Sequence, residues 1–280
     1  MRLPVVAGQF YPEDKEKLID TIRACFLSKF GPEGLPGRKI KSVKAVIVPH
    51  AGYFYSGPCA ASAYKEIAES SNPDVFVLLG PSHSGFSSSI SVQDWLTPLG
   101  VVRADKELGR RFSELSGIPV DSEAHKNEHS IEVQLPFLQF IVDNPVILPI
   151  MIAENCDYKE VAEALRSALT ESKKRAIIIC SSDFTHFGKN YGFVPFKENV
   201  QEKMYELDKG AIEPILAQSP EDFLNYIDKT GATICGRWPI AVLLYFLKKS
   251  DAQLLKYYTS ADITDSDYDI AVGYASIQFG

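Results

Sequence analysis

Residues 43–52, VKAVIVPHAG, decide how the chain is read. A short β-branched run, the pattern of a buried strand, stops at a proline, a histidine and, two positions on, a glycine. The same order returns in DVFVLLGPSHSG (74–85) and, without the proline, in RAIIICSSDFTHFG (175–188). Helical patterns separate these runs, in CAASAYKEIAES (59–70) and YKEVAEALRSALT (158–170), with another strand-like run, VILPIMIA, at 146–153. This alternation predicts an α/β sandwich with a central mixed sheet, in a single domain over residues 1–280.

The last third changes pattern. Helices through FKENVQEKMYELDKG (196–210), PEDFLNYID (220–228) and PIAVLLYFLKK (239–249) precede AQLLKYYTS (252–260) and IAVGYASIQF (270–279). The last two alternate like strands and are expected to pair as a closing hairpin. FGPEGLPGRK (30–39) reads as a loop between an opening helix and the first strand. DITDSDYD (262–269) has calcium-loop spacing, but Ile270 stands where such a loop needs glycine, so a solvated turn is expected.

Composition narrows the function. With 29 Lys and Arg against 36 Asp and Glu, the formal charge is -7 and no dense basic block occurs. Nucleic acid and anionic membrane are therefore disfavoured as partners, and a small-molecule or peptide ligand fits better. The opening MRLPVVAGQFYPEDKEK has neither the order of a signal peptide nor the apolar length of a membrane span, so a cytoplasmic location is expected. Five cysteines, odd in number and without a CxxC pair, point to a reducing compartment.

His50, His83 and His186 each follow an apolar strand and precede a glycine by two positions. Loops at the carboxyl ends of such strands are where open α/β sheets bind ligands, so the three imidazoles are expected to meet there. Gly52, Gly85 and Gly188 are expected to turn the chain with positive φ. Two imidazoles commonly need an anionic third donor to hold iron, zinc or copper. Cys235 is one candidate: it precedes a helix with Pro239 in its first turn, where the dipole would lower the thiol pKa, and Gly236 allows close backbone approach. Cys59, expected to open the helix after His50, is its rival, whereas Cys25 and Cys180 read as packing and Cys156 as part of a loop, ENCDY.

His125 and His129 have i, i+4 spacing but lack the HExxH zinc signature. A helix beginning near them would turn Ile131, Leu135 and Leu138 to the core and Glu128 and Glu132 elsewhere. His129 reads as a group that supports the ligands or moves protons, and His125 as a surface residue. Asp183 and His186, three apart, suit a carboxylate fixing an imidazole tautomer, two groups lining one pocket, or an Asp capping a turn.

VAGQFYP (6–12), PHAGYFYSG (49–57), LGPSHSG (79–85), NEHSIEVQLPF (127–137), SSDFTHFG (181–188) and TICGRWPI (233–240) together resemble the Memo family. The resemblance implies a fold like that of the class III extradiol non-haem iron dioxygenases. It implies His50, His83 and Cys235 as metal ligands, Fe(2+) as the first metal, with zinc or copper as other occupants. It implies His186 as acid/base, and Tyr55, Asp183 and Arg237 as pocket residues, Tyr55 and Arg237 meeting substrate. Trp238 departs from the histidine expected there in many relatives, and cysteine replaces the dioxygenase carboxylate, so ring cleavage is not inherited with the fold. Three functions follow: an iron-dependent oxidoreductase, a non-catalytic peptide- or metabolite-binding module in the same cleft, or a zinc hydrolase. Association with an AMMECR-type protein and a radical SAM protein is a further implication of family membership.

Overall fold

Strand-forming runs with both faces apolar require cover on both sides, and helices supply it. In the computed structural model, which describes residues 1–38, 42–154 and 156–280, the order is α1 (Lys15–Leu27), β1 (Ala45–Val48), α2 (Tyr53–Ala68), β2 (Val75–Pro81), β3 (Ser89–Ile90), β4 (Trp95–Thr97), β5 (Gly100–Ala104), α3 (Lys106–Ser116) and α4 (Gln134–Ile141). There follow β6 (Val146–Ile152), α5 (Tyr158–Ser172), β7 (Ala176–Ser181), β8 (His186–Gly188), α6 (Val200–Leu216), α7 (Pro220–Thr230), α8 (Arg237–Phe246), β9 (Ala252–Thr259), α9 (Ser260–Thr264) and β10 (Ile270–Phe279).

The sheet runs β4-β5-β6-β2-β7-β1-β10-β8, with β3 on β6 and β9 on β10. From β5 to β1 its neighbours are parallel, while β10 lies antiparallel to β1, β8 and β9. This is the expected mixed α/β sandwich. Alternation sends Ala45 and Ile47 to a core with α5 and α8, and Val46 and Val48 to one with α1, α2 and α4. The closing hairpin forms as expected, with α9 inserted between β9 and β10. No helix among the described residues is long and apolar enough to cross a membrane.

Several local expectations need correction. Helix α2 starts at Tyr53, six residues early, because Tyr53, Ser56 and Gly57 are buried, and the absence of a Cβ at Gly57 admits the Cys25 thiol of α1, whose Sγ lies 2.5 Å from that Cβ position. Cys59 therefore lies inside the helix, fully buried beside Ser276. Residues 124–133 are turns, and helix begins only at Gln134. The reason is the N-terminal segment: Arg2 donates to the carbonyls of His125 and Glu128 at 3.1 and 2.7 Å and pairs with Glu132, drawing the loop inward. His125, expected at the surface, is thus fully buried, with Nε2 on the Ser89 carbonyl at 3.2 Å. Glu132 also accepts from Tyr11 and the amides of Val5 and Val6.

Helix α6 begins four residues later than expected, after Asn199 at φ 52, and runs through Pro214. In the 262–269 turn Asp262 is occupied by Thr259, Tyr205 and Tyr268, which is turn chemistry. The loop of 30–39 is followed to Arg38, and Lys39, like Asn155 of ENCDY, lies outside the described residues.

Candidate metal centre

Strand register brings the motifs together. β7 lies between β1 and β2, with Val48 opposite Ser181 and Leu79 opposite Cys180. His50 and His83 therefore leave the same carboxyl edge of the sheet on either side of Ser181. Gly236, at the start of α8, sits so close to β7 that a Cβ there would lie 2.3 Å from that of Ser182, and this approach delivers Cys235. His50, His83 and Cys235 each offer a ligand atom, and the three atoms lie within 4.8 Å of one another.

The hydrogen bonds fix which nitrogen faces inward. Gln134 Nε2 donates to the Pro49 carbonyl at 3.0 Å and to Ser181 Oγ at 2.9 Å. Ser181 spends its one proton on the Ser130 carbonyl at 2.7 Å. Its oxygen can only accept from His50 Nδ1, 2.8 Å away, so that nitrogen carries the hydrogen and Nε2 keeps a free lone pair. Nε2 faces Cys235 Sγ at 3.2 Å. His83 reaches the same state through a charge: Nδ1 donates to Glu128 Oε1 at 2.9 Å, while the other carboxylate oxygen takes the His83 amide at 2.6 Å. A carboxylate behind a metal-binding imidazole fixes its tautomer and raises its basicity.

Electrostatics separates the imidazoles. Burial, then His83 and His129, lowers the His50 pKa well below its usual value. Burial also opposes charge on His83, but the Glu128 bond and charge outweigh it and raise the pKa. Glu128 is itself held at about 2, its burial overcome by His83 and the Ser130 amide. His129 is lowered to about 4 by burial and by His83, on which it stacks with ring centroids 4.6 Å apart. Cys235 corrects an expectation: burial and the Asp183 carboxylate raise its thiol pKa well above the ordinary value, outweighing the helix dipole. As a thiol it donates towards His50 and accepts the Asp183 amide at 3.2 Å.

A cavity of about 670 Å³ opens beside these groups, and its walls include His129, Asp183, His186 and Tyr55. Asp183 accepts the His50 amide at 2.8 Å and is 4% exposed. His186 Nδ1 lies 3.0 Å from the Thr233 carbonyl, so it is this carbonyl, and not Asp183, that sets its tautomer and leaves Nε2 free. Gly85 and Gly188 take the expected positive φ, +76° and +131°, whereas Gly52 has φ −57° and caps α2.

Arg237 is not among the described lining residues: it pairs with Asp228 at 2.7 Å and lies over Trp238, which stacks on Tyr158. Cys59 and His125 also stand away from the cavity. Sequence reasoning missed Ser181, Gln134, Glu128 as the partner of His83, and the walls Phe10, Tyr191 and Tyr274. It also missed Asp208, fully buried on α6, which accepts from Thr185 and Tyr257 directly behind His186. Only Glu128, a polar residue in NEHS directly before a histidine, carried a local signal.

A family model described as Memo-like protein matches residues 2–278. The chain belongs to the Memo family. The Memo-like chain is 40% identical to a MEMO1 family protein of Pyrococcus furiosus, covering 99% of this chain and 98% of the other. It is 38% identical to one from Methanopyrus kandleri and 40% to one from Methanosarcina mazei, each over 99% of this chain and 98% of the relative. Similarity of this extent makes the whole sandwich, and not only its motifs, a Memo-family feature.

Proposed function

We propose that this Memo-family protein is an iron(II)-binding oxidoreductase, with His50 Nε2, His83 Nε2 and Cys235 Sγ as ligands and a substrate entering through the adjoining cleft. The observation that carries the reading is that both Nδ1 protons are committed, to Ser181 and Glu128, which leaves two aimed Nε2 lone pairs beside one thiol. A nitrogen and sulfur donor set of this kind suits iron(II), zinc and copper. Held there, iron(II) or copper would supply Lewis-acidic and redox chemistry, and zinc Lewis acidity alone.

The chain's own groups do the rest. Buried His50 is pre-set as the neutral ligand, so no reorientation precedes binding. His186, its Nδ1 anchored on Thr233, offers Nε2 to the cavity to take or return a proton. His129, stacked on His83 and lowered to about 4, lines the cleft as a neutral imidazole and not as a strong base. Asp183 holds the His50 loop through its amide, and Tyr55 meets substrate at the mouth. Arg237, turned to Asp228, has no part in this reading. The cysteines, free in the structure, suit a reducing compartment, and the proposed location is the cytoplasm.

The test is metal content by mass spectrometry after anaerobic purification and loading with Fe(II), Zn(II) or Cu, on wild type and Cys235→Ser, with oxygen uptake followed by electrode. Near-stoichiometric iron in wild type, a large loss of affinity in Cys235→Ser, and oxygen uptake with an organic donor are expected. Wild type that takes up no metal would move the reading to a binding module. Zinc-dependent turnover of esters or amides without oxygen would move it to a hydrolase.

A further inference from the structure

We infer that the cleft is built for a flat, uncharged organic ligand and against phosphates and carboxylates. This rests on reading the cleft as the route by which substrate reaches the metal ligands. Its volume of about 670 Å³ is in the range that holds a drug-sized molecule.

The walls are aromatic. Phe10 stands edge-on to His129 with centroids 4.9 Å apart, and Tyr191 edge-on to His186 at 5.0 Å. Tyr55 and Tyr274 add two further rings. Rings set in this way offer faces and edges to a planar ligand. Beside the imidazoles and Asp183, the lining adds the hydroxyls of Ser260, Thr264 and Ser266, which hydrogen-bond without charge.

Anion-binding devices are missing or already used, His83, the lining imidazole whose pKa is raised, being paired with the Glu128 carboxylate at 2.9 Å. Among the described lining residues there is no Lys or Arg, the side chains that ordinarily grip phosphate and carboxylate. The N-terminus of α2 borders the cleft and would otherwise attract an anion. Asp183 stands just before it, accepting the amides of His50 and Ala51, while within it the Tyr53 amide donates to the Phe10 carbonyl at 2.7 Å and the Tyr55 amide to the Gly52 carbonyl at 2.9 Å. These amides are therefore taken by groups of the chain itself and are not offered to a ligand's anion.

The experiment is calorimetric titration with three probes sharing one ring system: 2-naphthol, 2-naphthoate and 2-naphthyl phosphate. They are titrated into wild type and into metal-free Cys235→Ser. The variants Tyr191→Ala and Phe10→Ala follow, each first checked for an unchanged melting temperature. Tyr191 is 44% exposed, so removing its ring does not open the core. The expected result is naphthol binding at least about tenfold tighter than either anion in metal-free protein, weakened about fivefold or more by each aromatic variant.

Equal or tighter binding of the phosphate ester to metal-free protein would overturn the inference. So would naphthol affinity unchanged in both variants, or no naphthyl compound binding at millimolar concentration. Because the walls are probed without metal, the two readings fail separately. Stoichiometric iron with a preference for phosphate removes this inference alone, and naphthol binding without any metal uptake removes the metal reading alone.

Discussion

His50 and His83 offer the same atom to the same place, yet the protein supports them in opposite ways. His50 is 1% exposed and is held by a neutral chain running from Tyr64 through Gln134 to Ser181. The side chain of His83 is 34% exposed and is held by the ionised Glu128. A buried imidazole needs only an acceptor to choose its tautomer, because burial already keeps it neutral. One facing solvent gains or loses a proton more easily, and a carboxylate that fixes its tautomer also strengthens it as a ligand. The difference separates what keeps a ligand oriented from what makes it basic.

The largest effect to expect is on acid stability. His125 and His129 have folded pKa values near 4, below the unfolded 6.5, and His50 shifts the same way. At these imidazoles the unfolded chain binds more protons between those limits, so they should cost the metal-free protein stability as pH falls from 6.5 towards 4, partly offset by buried Asp208, held up at about 6, and by Asp183, raised by burial. His83, raised by Glu128, works in the other direction: its contribution is present below 6.5 and fades as pH rises through its folded pKa. Urea unfolding of wild type and His125→Gln from about pH 4 to 6.5, and of wild type and His83→Gln from about pH 6.5 upward, checks both signs. The first variant should flatten the acid loss, and the second should flatten the loss that sets in as pH rises above 6.5.

Next in size is Glu128→Ala, which removes the anion behind His83. Metal affinity should fall about 100-fold by competition with a chelator, the upper end for loss of such a partner. If it changed less than threefold, the charged support would be irrelevant to binding. Ser181→Ala, the neutral counterpart, should cost about tenfold, and leaving Gln134 Nε2 short of a partner should cost stability by about 1 kcal/mol. An effect of Ser181→Ala larger than that of Glu128→Ala would reverse the ranking of the two supports.

The smallest effect belongs to Arg237→Ala. The side chain faces Asp228, 66% exposed, so stability should change by no more than about 1 kcal/mol and iron binding should stay as in wild type. A tenfold loss of ligand or metal affinity in this variant would return Arg237 to the cleft.

The strands behind the three histidines, and the helices that cover them, were legible because a buried parallel strand is written as a continuous apolar run and each run ends in a Gly-containing turn. His50, His83 and His186 were legible for the same reason, since a strand end fixes where a nearby residue goes, whereas Cys235 was set above Cys59 only by the resemblance to the Memo family. The turn at 124–133 was not, since its periodicity suits a helix and only Arg2, more than 120 residues away, draws its carbonyls inward. That pull buried His125, set Glu128 behind His83, and brought Phe10 to the cleft. Arg237 misled because adjacency to Cys235 says nothing about direction, and the first turn of α8 points it at Asp228.

The amino-acid order alone therefore determined the α/β sandwich and the imidazoles at its carboxyl edge, because local patterning and strand ends are short-range. Which nitrogen of each imidazole faces inward, which of the two cysteines reaches the imidazoles, and which way each pKa shifts were decided only by tertiary structure. Those properties depend on burial and on hydrogen-bond partners supplied by distant segments of the chain.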